Sequence, residues 1–428
     1  MINNLSFVKN LFRTYLSGES NWTFYSFSGN EIDLDPEKNF GLYLHVPFCK
    51  TMCLYCPYYK VYFRQELAEK YINAVIDEIK MYAPLLRTAK LTTLYIGGGT
   101  PTLIIDGLMK ITGIIRRTLG FDGPIGIETT PADINEEKIA MLMDMGVKYL
   151  SIGVQSFHNR FLQCMGRDYE SEKAIKAVEI ASKYKFDTLN IDMIFAFPGE
   201  GLKELKKDME IAVKLSPDQI TCYPLFTFPY STIGRFLKLR RLRLPPINVR
   251  RKMYYFLHDF LEAYGYRRTS VWSFTRYSKI PYSSVTRDYY VGFGPGAGSY
   301  TGERFYFNTF SIEEYVKALE KRLPIALEMK VSKKLEKLFW LYWRLYETVI
   351  PIERYSVMFG SNIYKDFGFL LNLIKFLGFV KSADKDKIVL NKYGCHWIHL
   401  LQNYFALDYV SKIWSVCQKN PWPEKVKL

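Results

Sequence analysis

From Leu42 to Leu225 the chain repeats one unit, a short run rich in β-branched and aromatic residues followed by a longer amphipathic stretch. Such alternation forces parallel strands, because a crossover helix carries the chain back to the same end of the sheet before the next strand begins. The expected strands are Leu42–Val46, Leu94–Ile96, Ile125–Thr129, Tyr149–Val154, Thr188–Ile194 and Gln219–Leu225. Between the first two, Glu66–Met81 predicts a helix on which Leu67, Tyr71, Ala74 and Val75 share a face. Six βα units are too few to close an eight-stranded barrel and enough for an open one. The expected class is therefore α/β, a partial (β/α)6 TIM-like barrel of parallel strands.

Ligands of parallel α/β sheets bind at the carboxyl ends of the strands, where the loops converge. The conspicuous residues of this chain fall at those ends. The first strand runs into a loop with Cys49, Cys53 and Cys56, and the second into Gly97-Gly-Gly-Thr-Pro-Thr102. The third contains Glu128, the fourth leads to Gln155, and the fifth carries Asp192 ahead of Phe197-Pro-Gly-Glu200. Each alone reads as a turn or a structural polar residue; their shared rim marks a site. The C-x3-C-x2-C triplet offers three thiolates, one too few for a cubane of four irons, so a fourth ligand is borrowed or one iron stays open. Zinc wants four ligands, and Cys164, Cys222, Cys395 and Cys417 supply no second short-spaced pair. Seven cysteines in 428 residues, odd in number and without a secretory pattern at Met1–Asn10, do not make a disulfide framework. The chain reads as a reduced, cytoplasmic protein whose other four thiols are buried and unpaired.

After Tyr230 the alternation stops. The organisation expected is an N-terminal arm over 1–40, the barrel over 41–230, a further region over 231–330 with the Gly-rich run Val291–Tyr300, and a helical module over 331–428. In the last, Leu338–Leu345, Tyr364–Leu377 and Val380–Leu390 read as helix, helix and hairpin, a winged-helix-like pattern. The apolar stretch Phe367–Val380, interrupted by Asn372 and Lys375, reads as a core helix, and no run reaches the about 18 apolar residues of a membrane span. Lysine and arginine number 58 against 43 acidic residues, a formal charge of +15, and seven of the cations gather between Arg235 and Arg251. Such a cluster draws anions. A membrane surface, nucleic acid, a polycarboxylate or only water fits it.

The cysteine triplet, with Tyr55 just before its third member, resembles the signature of the radical S-adenosylmethionine (SAM) superfamily. More narrowly, the chain resembles the oxygen-independent coproporphyrinogen III oxidase-like family. The matching motifs are Tyr43-x-His-x-Pro-Phe-Cys49, Gly97-Gly-Gly-Thr-Pro101, Ser151-Ile-Gly-Val-Gln-Ser-Phe157, Met165-Gly-Arg167 and Asp192-Met-Ile-x-x-x-Pro198. The resemblance implies a 4Fe–4S cluster on Cys49, Cys53 and Cys56 with SAM on the open iron. It also implies reductive cleavage of SAM to a 5′-deoxyadenosyl radical, fed by a donor such as flavodoxin or ferredoxin. Gly98, Gly99 and Thr100 would lie against the methionyl end. Glu128, Gln155, Arg167 and Asp192 would contact SAM as an acceptor, an amide, a carboxylate partner and a ribose or amine acceptor. Tyr43 and Tyr55 would pack on the cluster loop and adenine, or only in the core.

Two departures bear on the reaction. Tyr58 stands where the oxidase of the family has a further cysteine, and Val285-Thr286 where the heme chaperone branch has His-Asn. None of His45, His158, His258, His396 or His399 replaces that ligand in an obvious way. A third branch, the class C methyltransferases, holds two SAM molecules, and Trp272–Ser299 with Arg287 and Asp288 could supply the second site. Methyl transfer to an anionic, planar or aromatic small molecule is thus the leading expectation. Oxidative decarboxylation of a coproporphyrinogen-like tetrapyrrole, as in porphyrin biosynthesis, and heme trafficking are the alternatives; nucleic acid is not an expected partner.

Overall fold

The computed structural model describes residues 22–29, 32–228, 231–232, 234–235, 242–283 and 288–428, the last without the side chains of residues 404, 405 and 408. All six expected strands are present. β1 (Asn39–Val46), β2 (Lys90–Gly98), β3 (Ile125–Thr129), β4 (Val147–Gln155), β5 (Thr188–Phe195) and β6 (Gln219–Pro224) lie side by side in that order, each parallel to the next. Buried apolar residues meet in register, Leu44 beside Ile96, Ile96 beside Ile127, Ile127 beside Leu150, and Ile191 beside Ile220. Strands apolar on both faces are what helices packed against a parallel sheet require. Those helices are α1 (Gln65–Leu86), α2 (Ile105–Leu119), α3 (Glu136–Asp144), α4 (Asn159–Cys164), α5 (Ser171–Ser182) and α6 (Leu202–Lys214). On α1 the expected stripe is buried at Tyr71, Ala74 and Val75, and Leu67 is partly buried.

Among the described residues the sheet continues past these six to 14 strands. After α7 (Ile247–Ala263), β7 (Tyr266–Arg268) and β8 (Ser273–Arg276) extend the β6 edge antiparallel. At the opposite edge β9 (Tyr290–Phe293) pairs parallel with β1, and β10 (Gly298–Tyr300), β11 (Arg304–Asn308) and β12 (Ile325–Lys330) follow as an antiparallel meander. Thr23–Ser26 and Lys425–Lys427 complete that edge. One buried carboxyl joins the two parts. Glu78 of α1 accepts hydrogen bonds from the Gly294 amide (2.8 Å), from Asn308 Nδ2 (2.7 Å) and from the hydroxyl of Tyr315 on α8 (Ile312–Ala318).

The C-terminal module packs α9 (Lys333–Tyr346), α10 (Ile352–Phe359) and α11 (Ile363–Phe376) with a small sheet of Val349–Pro351, Lys387–Leu390 and Val380–Ala383, followed by α12 (Lys392–Cys417). Here the expectation of one core helix over 367–380 is corrected. The helix ends at Phe376, the chain turns, and a strand starts at Val380. Ile363, Phe367, Leu371 and Ile374 point inward while Phe369 and Phe376 are exposed. A helix 3.6 residues per turn can bury only one stripe of a run that is apolar all round. Among the described residues no helix is long and apolar enough to cross a membrane.

Candidate functional site

Two backbone hydrogen bonds fasten the glycine loop after β2 to the chain entering the cysteine loop. The Gly99 amide donates to the Val46 carbonyl (2.7 Å) and the Thr100 amide to the Phe48 carbonyl (2.7 Å). The fit leaves no space for a side chain: a Cβ on Gly99 would lie 2.4 Å from the Phe48 oxygen and 3.0 Å from Cys49 Sγ. Gly98 has φ +115°, and a Cβ there would sit 2.8 Å from His45 Cε1. Only glycine serves where backbone must come this close and φ is positive. The far side of the cysteine loop is held as well. The Leu54 amide donates to the Met165 carbonyl (3.1 Å), Arg167 Nη2 to the Tyr55 hydroxyl, and Lys60 Nζ to the Cys56 carbonyl (3.0 Å).

Cys49 is buried, and Cys53 and Cys56 are partly so. Burial first, then the neighbouring Cys56 and Cys53, pushes the Cys49 thiol up to about 12, against Lys60 and a hydrogen bond from Thr100. Burial also raises Cys53, against the charge of Arg167. Thiols placed this way stay protonated unless a metal takes them, because ligation supplies the positive charge that stabilises thiolates. The donor set fits a multi-iron core, which spreads its ligands over separate irons. A single ion is less suited, since among the described residues no three His, Cys, Asp or Glu side chains group closely enough to hold one. Arg167 is a further sign of an absent anion, for its buried Nε has no hydrogen-bond partner.

The two rim carboxyls face the same volume. Burial, and then Asp192, pushes Glu128 up to about 8, although the Gly98 amide points at it (3.4 Å) and the Tyr95 hydroxyl donates to it. Burial lifts Asp192 to about 6 against hydrogen bonds from Ser151 Oγ (2.8 Å) and Asn190 Nδ2 (3.0 Å). A cationic ligand between them would draw both back to the ionised form. Gln155 ends β4 in the left-handed region (φ 72°), and Ala196 follows β5 at φ 65°. Non-glycine residues held there cost energy and gather at ligand sites.

The structure thus brings Cys49, Cys53, Cys56, Tyr55, Gly98, Gly99, Thr100, Glu128 and Arg167 into one connected set, with Asp192 coupled to Glu128. Tyr43 is placed differently from Tyr55. It shares a hydrogen bond with His45 Nδ1 (2.7 Å) and stacks on Tyr95 (6.1 Å between ring centres), in a ladder that runs on through Tyr282 to Tyr149. Sequence reasoning did not single out Tyr95, Tyr223 or Tyr346. The Tyr58 hydroxyl is raised by burial and by Glu128, Cys56, Tyr346 and Asp192, and Tyr223 by burial and by Asp192 and Tyr346 among others. Tyr58 has 51% of its surface free and stands in the electrostatic reach of the rim carboxyls. Tyr346 comes from α9, so the C-terminal module contributes a side chain to the neighbourhood of the rim. No local signal marks such tyrosines, because an aromatic residue in a strand or on a helix reads as core.

Residues 43–212 match the family model described as the radical SAM superfamily. The heme chaperone HemW of Bacillus subtilis is 28% identical over 333 residues, 75% of this chain and 87% of that protein. The anaerobilin synthase of Escherichia coli O157:H7 is 28% identical, covering 68% of each chain. Among solved structures, the coproporphyrinogen III oxidase of Escherichia coli superposes with a TM-score of 0.74 at 22% identity, over 91% of this chain and 96% of that one, which shows a shared fold. Radical SAM proteins bind a 4Fe–4S cluster and SAM. With the cysteine loop, the glycine loop and the parallel barrel in place, residues 43–212 form a radical SAM domain, and the chain is similar over most of its length to proteins of the oxygen-independent coproporphyrinogen III oxidase-like family.

Proposed function

We propose that this chain holds a 4Fe–4S cluster and SAM at the rim and handles a tetrapyrrole, acting in the first place as a heme-binding chaperone. The observation that carries the reading is the extent of the likeness to heme chaperones, 28% and 29% identity over 75% and 78% of this chain for the proteins of Bacillus subtilis and Lactococcus lactis. The anaerobilin synthase points to the same class of compound. These relatives favour the tetrapyrrole reading over methyl transfer. The segment expected to hold a second SAM includes Val285, Thr286 and Arg287, which lie outside the described residues.

In this reading Cys49, Cys53 and Cys56 take three irons, and the backbone of Gly98, Gly99 and Thr100 lies against the methionyl end of SAM. Arg167 and Gln155 meet its carboxylate, Glu128 and Asp192 its amine or ribose, and Tyr55 the adenine side. When bound, the cluster supplies the electron that cleaves the SAM sulfonium. A Gly98→Val chain has to fit a side chain at φ +115° beside His45. Its SAM affinity is expected to fall about five- to 150-fold, the equivalent of the 1–3 kcal/mol such strain costs. Unchanged affinity by equilibrium dialysis would remove the loop from the SAM site.

Four of the five histidines are engaged or lie away from the rim. His45 is tied to Tyr43 and the Tyr59 carbonyl, His158 to the Glu204 carbonyl, and His258 to Asp259, while His396 sits beside Arg250 and Arg251. His399 is buried between Trp272 (4.7 Å) and Tyr346 (5.6 Å), and neither ring nitrogen makes a hydrogen bond of good geometry. Burial lowers it to about 4, so the imidazole is neutral and its lone pair is available. Heme added to the reconstituted protein is expected to shift the Soret band, and His399→Ala to weaken binding at least about tenfold, as loss of a metal ligand does. 5′-Deoxyadenosine release with a porphyrinogen and no heme uptake would instead favour oxidative decarboxylation. Its appearance together with S-adenosylhomocysteine would restore methyl transfer.

A further inference from the structure

Arg250 and Arg251, two described members of the basic cluster, sit on α7 beside an apolar face. On α12 Tyr393, Trp397 and Leu401 follow one another at four-residue spacing, which places them on one side of the helix. They are 48%, 39% and 49% exposed. Phe376, 87% exposed, ends α11 close by, because Asn391 at the start of α12 donates to the Gly378 carbonyl (2.7 Å). Ile247, exposed at the start of α7, lies one turn before Arg251, whose guanidinium stands 5.9 Å from the Trp397 ring.

Among the described residues, Arg250 and Arg251 of this face have no ion pair. Arg250 is half-buried, with no ion pair among the described residues and a buried Nε that makes no hydrogen bond. Arg251 meets the Trp397 and not an acid. His396, beside both, has a buried Nε2 without a partner. Asp259, an acid further along α7, is held by Lys392 at 2.7 Å. A guanidinium taken partly out of water without a partner is costly, and an anion arriving from outside offsets the cost.

We propose that this face, made by the start of α12, the end of α11 and the start of α7, docks the protein on an anionic lipid bilayer. Lipid phosphates take Arg250, Arg251 and His396. Tyr393 and Trp397 lie at headgroup depth, where amphipathic rings settle, and Phe376, Leu401 and Ile247 enter the acyl boundary. Charge complementarity selects this occupant. A nucleic acid would use the cations and aromatic rings but has no place for Phe376, Leu401 and Ile247 at its phosphates. The protein would meet the bilayer as a peripheral one.

The test is co-sedimentation of the full reconstituted chain with vesicles of phosphatidylcholine alone or mixed with phosphatidylglycerol. Binding is expected only with phosphatidylglycerol and is expected to weaken with salt. At about 1 kcal/mol per cation, Arg250→Ala with Arg251→Ala should weaken it about 30-fold. Trp397→Ser with Phe376→Ser should weaken binding without reducing its salt dependence. Cluster iron equal to wild type in each variant shows that the fold and rim are kept. Equal binding to both vesicles, or none, overturns the proposal. So does self-association that Trp397→Ser and Phe376→Ser abolish in the absence of lipid binding, which would give the face to a second copy of the chain.

Discussion

Replacing Cys53 by alanine is expected to leave the chain with at most about a tenth of the wild-type cluster iron after anaerobic reconstitution. Even loss of a residue that only orients a metal ligand lowers affinity ten- to a hundredfold, and Cys53 is one of the three proposed donors themselves. The remaining thiols cannot compensate. Cys222, Cys395 and Cys417 are buried, with thiols that burial pushes up, and Cys164 is exposed on its own helix. Cys164→Ala is accordingly the control, and its iron and acid-labile sulfide should equal those of the unaltered chain. Full iron and sulfide in the Cys53→Ala protein would defeat the ligand assignment, whatever SAM or heme then does.

The second large effect concerns Glu78, which joins α1 to the β9–β11 side of the sheet. Its carboxyl receives three donors from Gly294, Asn308 and Tyr315. Removing it by Glu78→Ala leaves those donors in an apolar interior and is expected to cost on the order of 4 kcal/mol, read as a fall in the urea midpoint. The same group sets a pH dependence. Burial raises it from 4.5 to about 7, and the three hydrogen bonds oppose the rise. The folded chain therefore holds a proton that the unfolded chain has released, and stability falls as pH rises from about 4.5 through 7, by at most about 3 kcal/mol. Below that window both states are protonated and above it both are ionised, so the contribution is flat on either side. Glu78→Gln should lose this slope between pH 5 and 8 while remaining more stable than Glu78→Ala. If wild type and Glu78→Gln change in parallel across that range, the proton is held elsewhere.

Much of the barrel was legible because its signals are local. Each of the six strands is bounded by the turn residues that end it, and β3 runs over the residues expected, Ile125–Thr129. The cysteine and glycine loops were legible for the same reason, since close backbone approach demands glycine at fixed positions. The partners of those loops were not. Nothing in the local pattern pairs Tyr43 with His45 and Tyr95, or sends Tyr346 from the C-terminal module to the neighbourhood of Asp192. The edges of the sheet are equally hidden, as β9 lies beside β1 although about 250 residues separate them, a span that loop-closure entropy makes neither favoured nor forbidden.

The run 367–380 shows the limit most directly. Its composition predicts burial, and burial is a property of what packs against a surface, so only the assembled module decides that Phe376 faces outward with Trp397 and Leu401. Periodicity, turn chemistry and donor spacing act over a few residues, and they suffice for the parallel α/β class, the rim at the strand ends and a cysteine triplet short of one ligand. The tertiary structure alone decided which carboxyls share a volume and rise to about 8 and about 6, which thiols are held together, and which cations lack a counterion. Those are properties of distance and dielectric between segments far apart in the chain, and they exist only once the fold has brought them together.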